Sequence, residues 1–157
     1  MPSFDDEVLK LDHQLCFRLY AASRLLTKLY RTPLHQLGVT YPQYLVLLAL
    51  WQWELEGDSS PKTVGSIARR LLLDAGTVTP LLRRMEAAGL LRRRRAAGDE
   101  REVHVSLTPK GRRLKRRAPQ VPMSLLCMPG LPGDELPVLL GSLSRLLAAL
   151  QSAQGDA

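Results

Sequence analysis

Two cysteines, Cys16 and Cys127, are the side chains of this 157-residue sequence best suited to chemistry of their own. A thiolate attacks peroxide oxygen to give a sulfenic acid, which condenses with a second thiol to a disulfide. Groups able to hydrogen-bond sulfur surround Cys16. His13 and Tyr20 lie three and four residues from it, on one helical face, and Tyr30 and Tyr41 flank the following turn. Packing competes with this chemistry, because free cysteine is among the most buried residue types and buried tyrosines commonly tie their hydroxyls to backbone. Cys16 also lies deep in a long helical pattern, too far from its start for the dipole to favour a thiolate, and Asp12 opposes one. On spacing alone, Cys16 reads as a core residue before a reactive one.

Other chemistries lack their signatures. His13, Cys16, His104 and Cys127 do not have the paired close spacings of a structural zinc site, so no metal and no cofactor is expected. No phosphate-cradling glycine loop, nucleophile elbow or metalloprotease motif is present, and the chain is not expected to be an enzyme. A net charge of +7 favours a polyanionic partner, nucleic acid or an anionic membrane surface. The charge is placed selectively: Arg69, Arg70, Arg83 and Arg84, then Arg92 to Arg95 and Arg101, then Lys110 to Arg117.

The elements that must position these groups follow from periodicity. Residues 5–31 read as one helix with a coiled-coil-like seam of Leu15, Leu19, Ala22, Leu26 and Leu29, more than one small domain can cover, which points to a dimer contact. After a short turn or single helical turn at Thr32 to Gly38, Thr40 and Gln43 form a capping box for a central buried helix, with Val39 placed to staple against Tyr44. Residues 63–72 and 74–89 are two short amphipathic helices in a helix-turn-helix, with Thr77, Thr79, Arg83 and Arg84 on the outer side of the second. Pro80 is costly inside a helix, so that helix is expected to begin at Thr79 or to kink near Gly76. Residues 90–108 alternate like a hairpin turning at Ala97 to Asp99, which makes a wing.

Thr108 and Pro109 start a basic helix, 119–133 is an irregular proline-rich connector holding Cys127, and Asp134 caps a last amphipathic helix over 134–151. The expected fold is mainly α with a small β-hairpin wing. It is one winged helix-turn-helix domain, 63–108 reading DNA, with the N- and C-terminal helices forming a homodimer interface. Base readout falls to Thr77, Thr79, Pro80, Arg83 and Arg84, with Arg101 in a minor groove steered by Asp99.

Two stretches, Leu11 to Trp51 and Leu73 to Gly111, resemble the MarR family of winged helix-turn-helix repressors. Asp99-x-Arg101 followed by Leu107-Thr108 marks the broad family. Leu15-Cys16-Phe17 and Thr40-Tyr41-Pro42-Gln43-Tyr44 mark its organic hydroperoxide resistance branch. That resemblance reverses the reading of Cys16. It implies a homodimeric repressor on double-stranded DNA with an inverted-repeat operator, in which Cys16 senses an organic hydroperoxide. It further implies that Tyr30 and Tyr41 hydrogen-bond the sulfur from the partner subunit. Some members of the branch stop at sulfenic acid and a mixed disulfide with a small thiol, and others resolve it with a second cysteine as an intersubunit disulfide, the kind that Cys127 matches. The competing readings are a repressor released by a small lipophilic ligand, with Cys16 structural, and a thiol peroxidase. The acidic start and the lack of a long uncharged apolar run give a cytoplasmic expectation with no membrane partner.

Overall fold

A helix apolar nearly all round must be surrounded, and Tyr41–Leu55 (α3) is the core of this computed structural model, which describes residues 7–96, 98–99, 102–127 and 133–155. Tyr44, Val46, Leu47, Ala49, Leu50 and Trp51 are buried along it. Its start is set locally: Gln43 Oε1 accepts from the Thr40 N–H at 2.9 Å. Val39 and Tyr44, either side of that start, are both buried.

Val64–Leu71 (α4) and Ala75–Ala87 (α5) form the helix-turn-helix and pack on α3 and on each other. Ile67, Ala68, Val78, Leu81, Leu82 and Met85 face inward, as the periodicity requires. Leu72 makes the turn between them with φ of 54°, a left-handed conformation that is strained for a leucine. Leu91–Arg95 (β1) and Val103–Leu107 (β2) pair antiparallel from Leu91↔Leu107 to Arg95↔Val103. A single bridge from Thr63 to His104 ties this wing to the start of α4. Thr108 then caps Pro109–Leu114 (α6) by accepting from Gly111 N–H at 3.1 Å. That helix stops at Leu114, short of the basic run's end.

The expected 5–31 helix is broken. A 3-10 turn covers Leu11–His13, Gln14 is extended, and the long helix is Leu15–Leu29 (α1). Side chains hold the break open: His13 Nδ1 lies 2.9 Å from Glu7 O, the Gln14 amide donates to Val8 O, and Arg18 Nε donates to Asp12 O at 2.9 Å. Arg31–Leu37 (α2) follows Tyr30 directly.

The segment expected to be irregular contains a helix, Gln120–Leu126 (α7), which packs on α1 and α2 and ends at Cys127. Its Val121 is fully buried, and that burial orders a proline-rich stretch which periodicity alone could not register. The last helix is Leu136–Gly155 (α8), starting two residues beyond Asp134. Over Leu136–Gln154 it is long and apolar enough to cross a bilayer by length and composition, although Arg145 interrupts the run. Leu139, Leu140, Leu147 and Leu150 stand exposed on it, as Leu15, Leu19 and Leu26 do on α1.

Candidate nucleic-acid interface and thiol site

Helix α5, the candidate DNA-reading element, begins at Ala75, so Pro80 lies in its second turn rather than opening it, correcting the expected start at Thr79. Asp74 is the reason. Its carboxylate accepts from Thr77 N–H at 2.7 Å and from Thr77 Oγ1 at 2.6 Å, satisfying the first turn's free donors. Those bonds hold its carboxyl below the ordinary carboxylate value, the Thr77 hydroxyl first and its backbone N–H second. Residue 76 is glycine at the point of closest approach: a Cβ there would sit 2.9 Å from Asp74 Oδ1. Sequence reasoning passed over Asp74 as a functional residue, though the Asp-x-x-Thr spacing carried the signal.

On the outer side of α5, Thr77, Pro80, Arg83 and Arg84 are exposed and Thr79 is half-buried. The fold therefore places all five on one helix with its apolar side against the core. The Thr77 hydroxyl proton is committed to Asp74, which leaves that oxygen as an acceptor. In the wing, Arg92, Arg94 and Arg95 are exposed, while Arg93 is turned inward, its guanidinium 3.6 Å from the Glu86 carboxylate. Asp99 O accepts from Glu102 N–H at 3.0 Å. Arg101, and with it the expected Asp99–Arg101 pair, lies outside the described residues. Lys110, Arg112, Arg113, Arg116 and Arg117 continue an exposed basic surface beyond the wing.

The thiol region assembles differently from its sequence picture. With α1 starting at Leu15, Cys16 is in the first helical turn, not deep in a helix, and it is exposed. Tyr30 and Tyr41 come together, ring centroids 6.1 Å apart. Desolvation raises the Tyr30 phenol above its ordinary value and the neighbouring Tyr41 raises it further, so the hydroxyl stays protonated and able to donate. Among the described residues of one chain no hydrogen bond reaches either sulfur, and Cys127 is exposed as well. Tyr20 bonds elsewhere, accepting from Arg24 at 2.8 Å, and His13 turns to Glu7. Tyr41 also lines an open cleft of about 700 Å³ between α1 and α2, together with Leu25, Leu34 and Val39 and the basic side chains of Arg24, Lys28 and Arg31.

Residues 28–118, more than half of the chain, match the family described as Transcriptional regulator SarA/Rot. The chain belongs to this family. It is a family of winged-helix, DNA-binding transcriptional regulators, not of enzymes, and the resemblance to MarR-type peroxide regulators holds in sequence. The organic hydroperoxide resistance transcriptional regulator of Bacillus subtilis is 45% identical over 142 residues, 90% of this chain and 92% of that one. Overoxidised AbfR bound to DNA, a Staphylococcus epidermidis protein, superposes with a TM-score of 0.73 at 35% identity, covering 94% of this chain and 99% of that one. Disulfide-formed AbfR superposes less closely, with a TM-score of 0.62 at 35% identity over 94% and 97% of the two chains.

Proposed function

We propose that this regulator is a cytoplasmic, homodimeric repressor that reports organic hydroperoxides through Cys16 and then releases an inverted-repeat operator. One observation carries the reading. Cys16 is exposed in the first turn of α1, on a helix whose leucines a single chain leaves uncovered, so a second copy on α1 and α8 would enclose the thiol in an apolar setting. The tyrosine pair Tyr30 and Tyr41 is suited to donate to that sulfur across the interface, and burial holds the Tyr30 hydroxyl protonated.

The chemistry runs in two steps. The Cys16 thiolate attacks the terminal peroxide oxygen, the O–O bond breaks, and the leaving alkoxide takes a proton as the alcohol, which leaves a sulfenic acid. The Cys127 thiolate of the partner then attacks that sulfur, an S–S bond forms, and the oxygen departs as water. Closure needs the two Cα atoms within about 7 Å. Movement of α1 and α7 toward that distance displaces the reading heads from their spacing. A hundredfold loss of affinity requires about 2.7 kcal/mol of differential binding, within reach of one rigid-body rotation. In the DNA complex, Thr77, Thr79, Pro80, Arg83 and Arg84 enter the major groove and Asp99 and Arg101 serve the wing.

The basic-lined cleft beside Tyr41 supports a second reading, release by a small amphipathic ligand with Cys16 merely packed. One experiment separates the two: operator binding of wild type and Cys16→Ser before and after one equivalent of organic hydroperoxide, with thiol mass spectrometry. Cys16→Ser should bind operator and ignore the peroxide. If it still releases DNA on peroxide treatment, Cys16 is not the sensor.

A further inference from the structure

A two-stranded wing is marginal by itself and must be fastened to the helices it serves. Here the fastening converges on one rung. Arg93 and Val105 are paired in the hairpin, and the N–H groups of both leave the ladder. Val105 N–H donates to Lys62 O, just before α4, at 2.7 Å. Arg93 N–H donates to Glu86 Oε1, near the end of the reading helix α5, at 2.7 Å. The rung is thus held from both sides, by the backbone before one helix of the helix-turn-helix and by a side chain of the other.

Glu86 makes the second contact that distinguishes a strap from an incidental bond. Its other oxygen lies 3.6 Å from the Arg93 guanidinium, whose side chain is only 16% exposed. The Arg93 Nε is buried without a partner among the described residues, so Glu86 is what offsets this inward charge. Arg92 and Arg94, on the opposite face of the strand, remain exposed. Arg93 is therefore spent on geometry while its neighbours remain available for phosphate.

We propose that Glu86 is a positioning residue for DNA recognition: its bonds to Arg93 fix the angle between wing and reading helix. That angle decides whether both heads can contact the operator in register, whereas non-specific phosphate contacts tolerate a loose wing. The inference rests on the family's DNA binding alone and is independent of the peroxide reading.

The test measures affinity for operator and for a scrambled duplex of equal length, in one buffer, on the intact dimer. Glu86→Gln keeps an oxygen for the Arg93 N–H and should leave the operator-to-scrambled ratio within about twofold of wild type. The double variant Glu86→Ala/Arg93→Met removes the strap without burying an unpaired charge, so the fold is retained. Its ratio should fall about tenfold, with operator affinity lost and scrambled affinity held to within about threefold. A purely structural role would lower the active fraction and weaken both duplexes alike. A double variant with the wild-type ratio, whatever its melting temperature, overturns the assignment.

Discussion

Gly111→Ala should loosen the base of the wing. A Cβ at residue 111 would lie 2.1 Å from Leu90 O, where ordinary contact begins at 3.4 Å, so the two backbones must part by more than 1 Å. Neither side is free to yield. Leu90 O already accepts from Thr108 N–H at 3.1 Å, the Thr108 hydroxyl donates to the adjacent Gly89 O at 2.7 Å, and Gly111 O accepts from the buried Trp51 indole at 3.2 Å. Overpacking of this kind costs about 1–3 kcal/mol, and one or two displaced hydrogen bonds add about 1 kcal/mol each. At about 2–4 °C per kcal/mol for a chain of this size, the resulting total of about 2–5 kcal/mol should lower the melting temperature by about 4–20 °C. The assay is thermal denaturation by circular dichroism at one fixed protein concentration, since the melting point of a self-associating protein depends on it. Operator binding should weaken in parallel, because Thr108 and Leu90 anchor both strands. A shift under about 3 °C with unchanged operator binding would refute the reasoning.

Three further outcomes are expected. Cys127→Ser should still lose one thiol equivalent at Cys16 on peroxide treatment but form no intersubunit disulfide on non-reducing gels, and its operator release should be less complete; an unchanged response removes Cys127 from the cycle. The carboxyls of Asp58, held at about 2 by Lys62 and Ser60, and of Asp74 both sit below the ordinary 3.8, so their stabilisation is complete above about pH 4 and is lost as pH falls through the folded values. Melting temperature against pH should decline over that window for wild type, and Asp74→Asn should flatten part of the decline. Leu72→Gly relieves a left-handed leucine that is 56% exposed and should raise stability by about 0.5–1 kcal/mol, read as a higher urea midpoint at unchanged slope.

Features set by short-range interactions are legible in the sequence. Amphipathic spacing marked Ile67, Ala68, Val78, Leu81, Leu82 and Met85 as inward before any coordinates, because a helix's buried side is a property of residues three and four apart. Thr40 with Gln43 and Thr108 with Pro109 were equally readable, since a cap is satisfied within its own turn. The alternation of Val103, Val105 and Leu107 fixed the hairpin and its buried face. The basic side chains of α5 and the wing could be placed in one half of the chain on the same local grounds.

Tertiary structure decided what depends on partners distant in the chain, or on competition between neighbouring side chains. The seam leucines imply one helix from residue 5, yet His13, Gln14 and Arg18 take up backbone carbonyls and restart it at Leu15. That restart moves Cys16 from a helix interior to a first turn, a change periodicity cannot register because an apolar stripe reads the same on both sides of a break. The helix at Gln120–Leu126 exists because Val121 is buried, despite a proline-rich sequence that by itself predicts a loop. Glu86 and Arg93 carry no local signal at all: they meet only because the turn at Gly89 folds β1 back along α5. The sequence by itself determined the helix-turn-helix, the wing and their charge. The tertiary structure decided where the thiol stands and what holds the wing at its angle, because both are settled by side chains meeting across a bend in the chain.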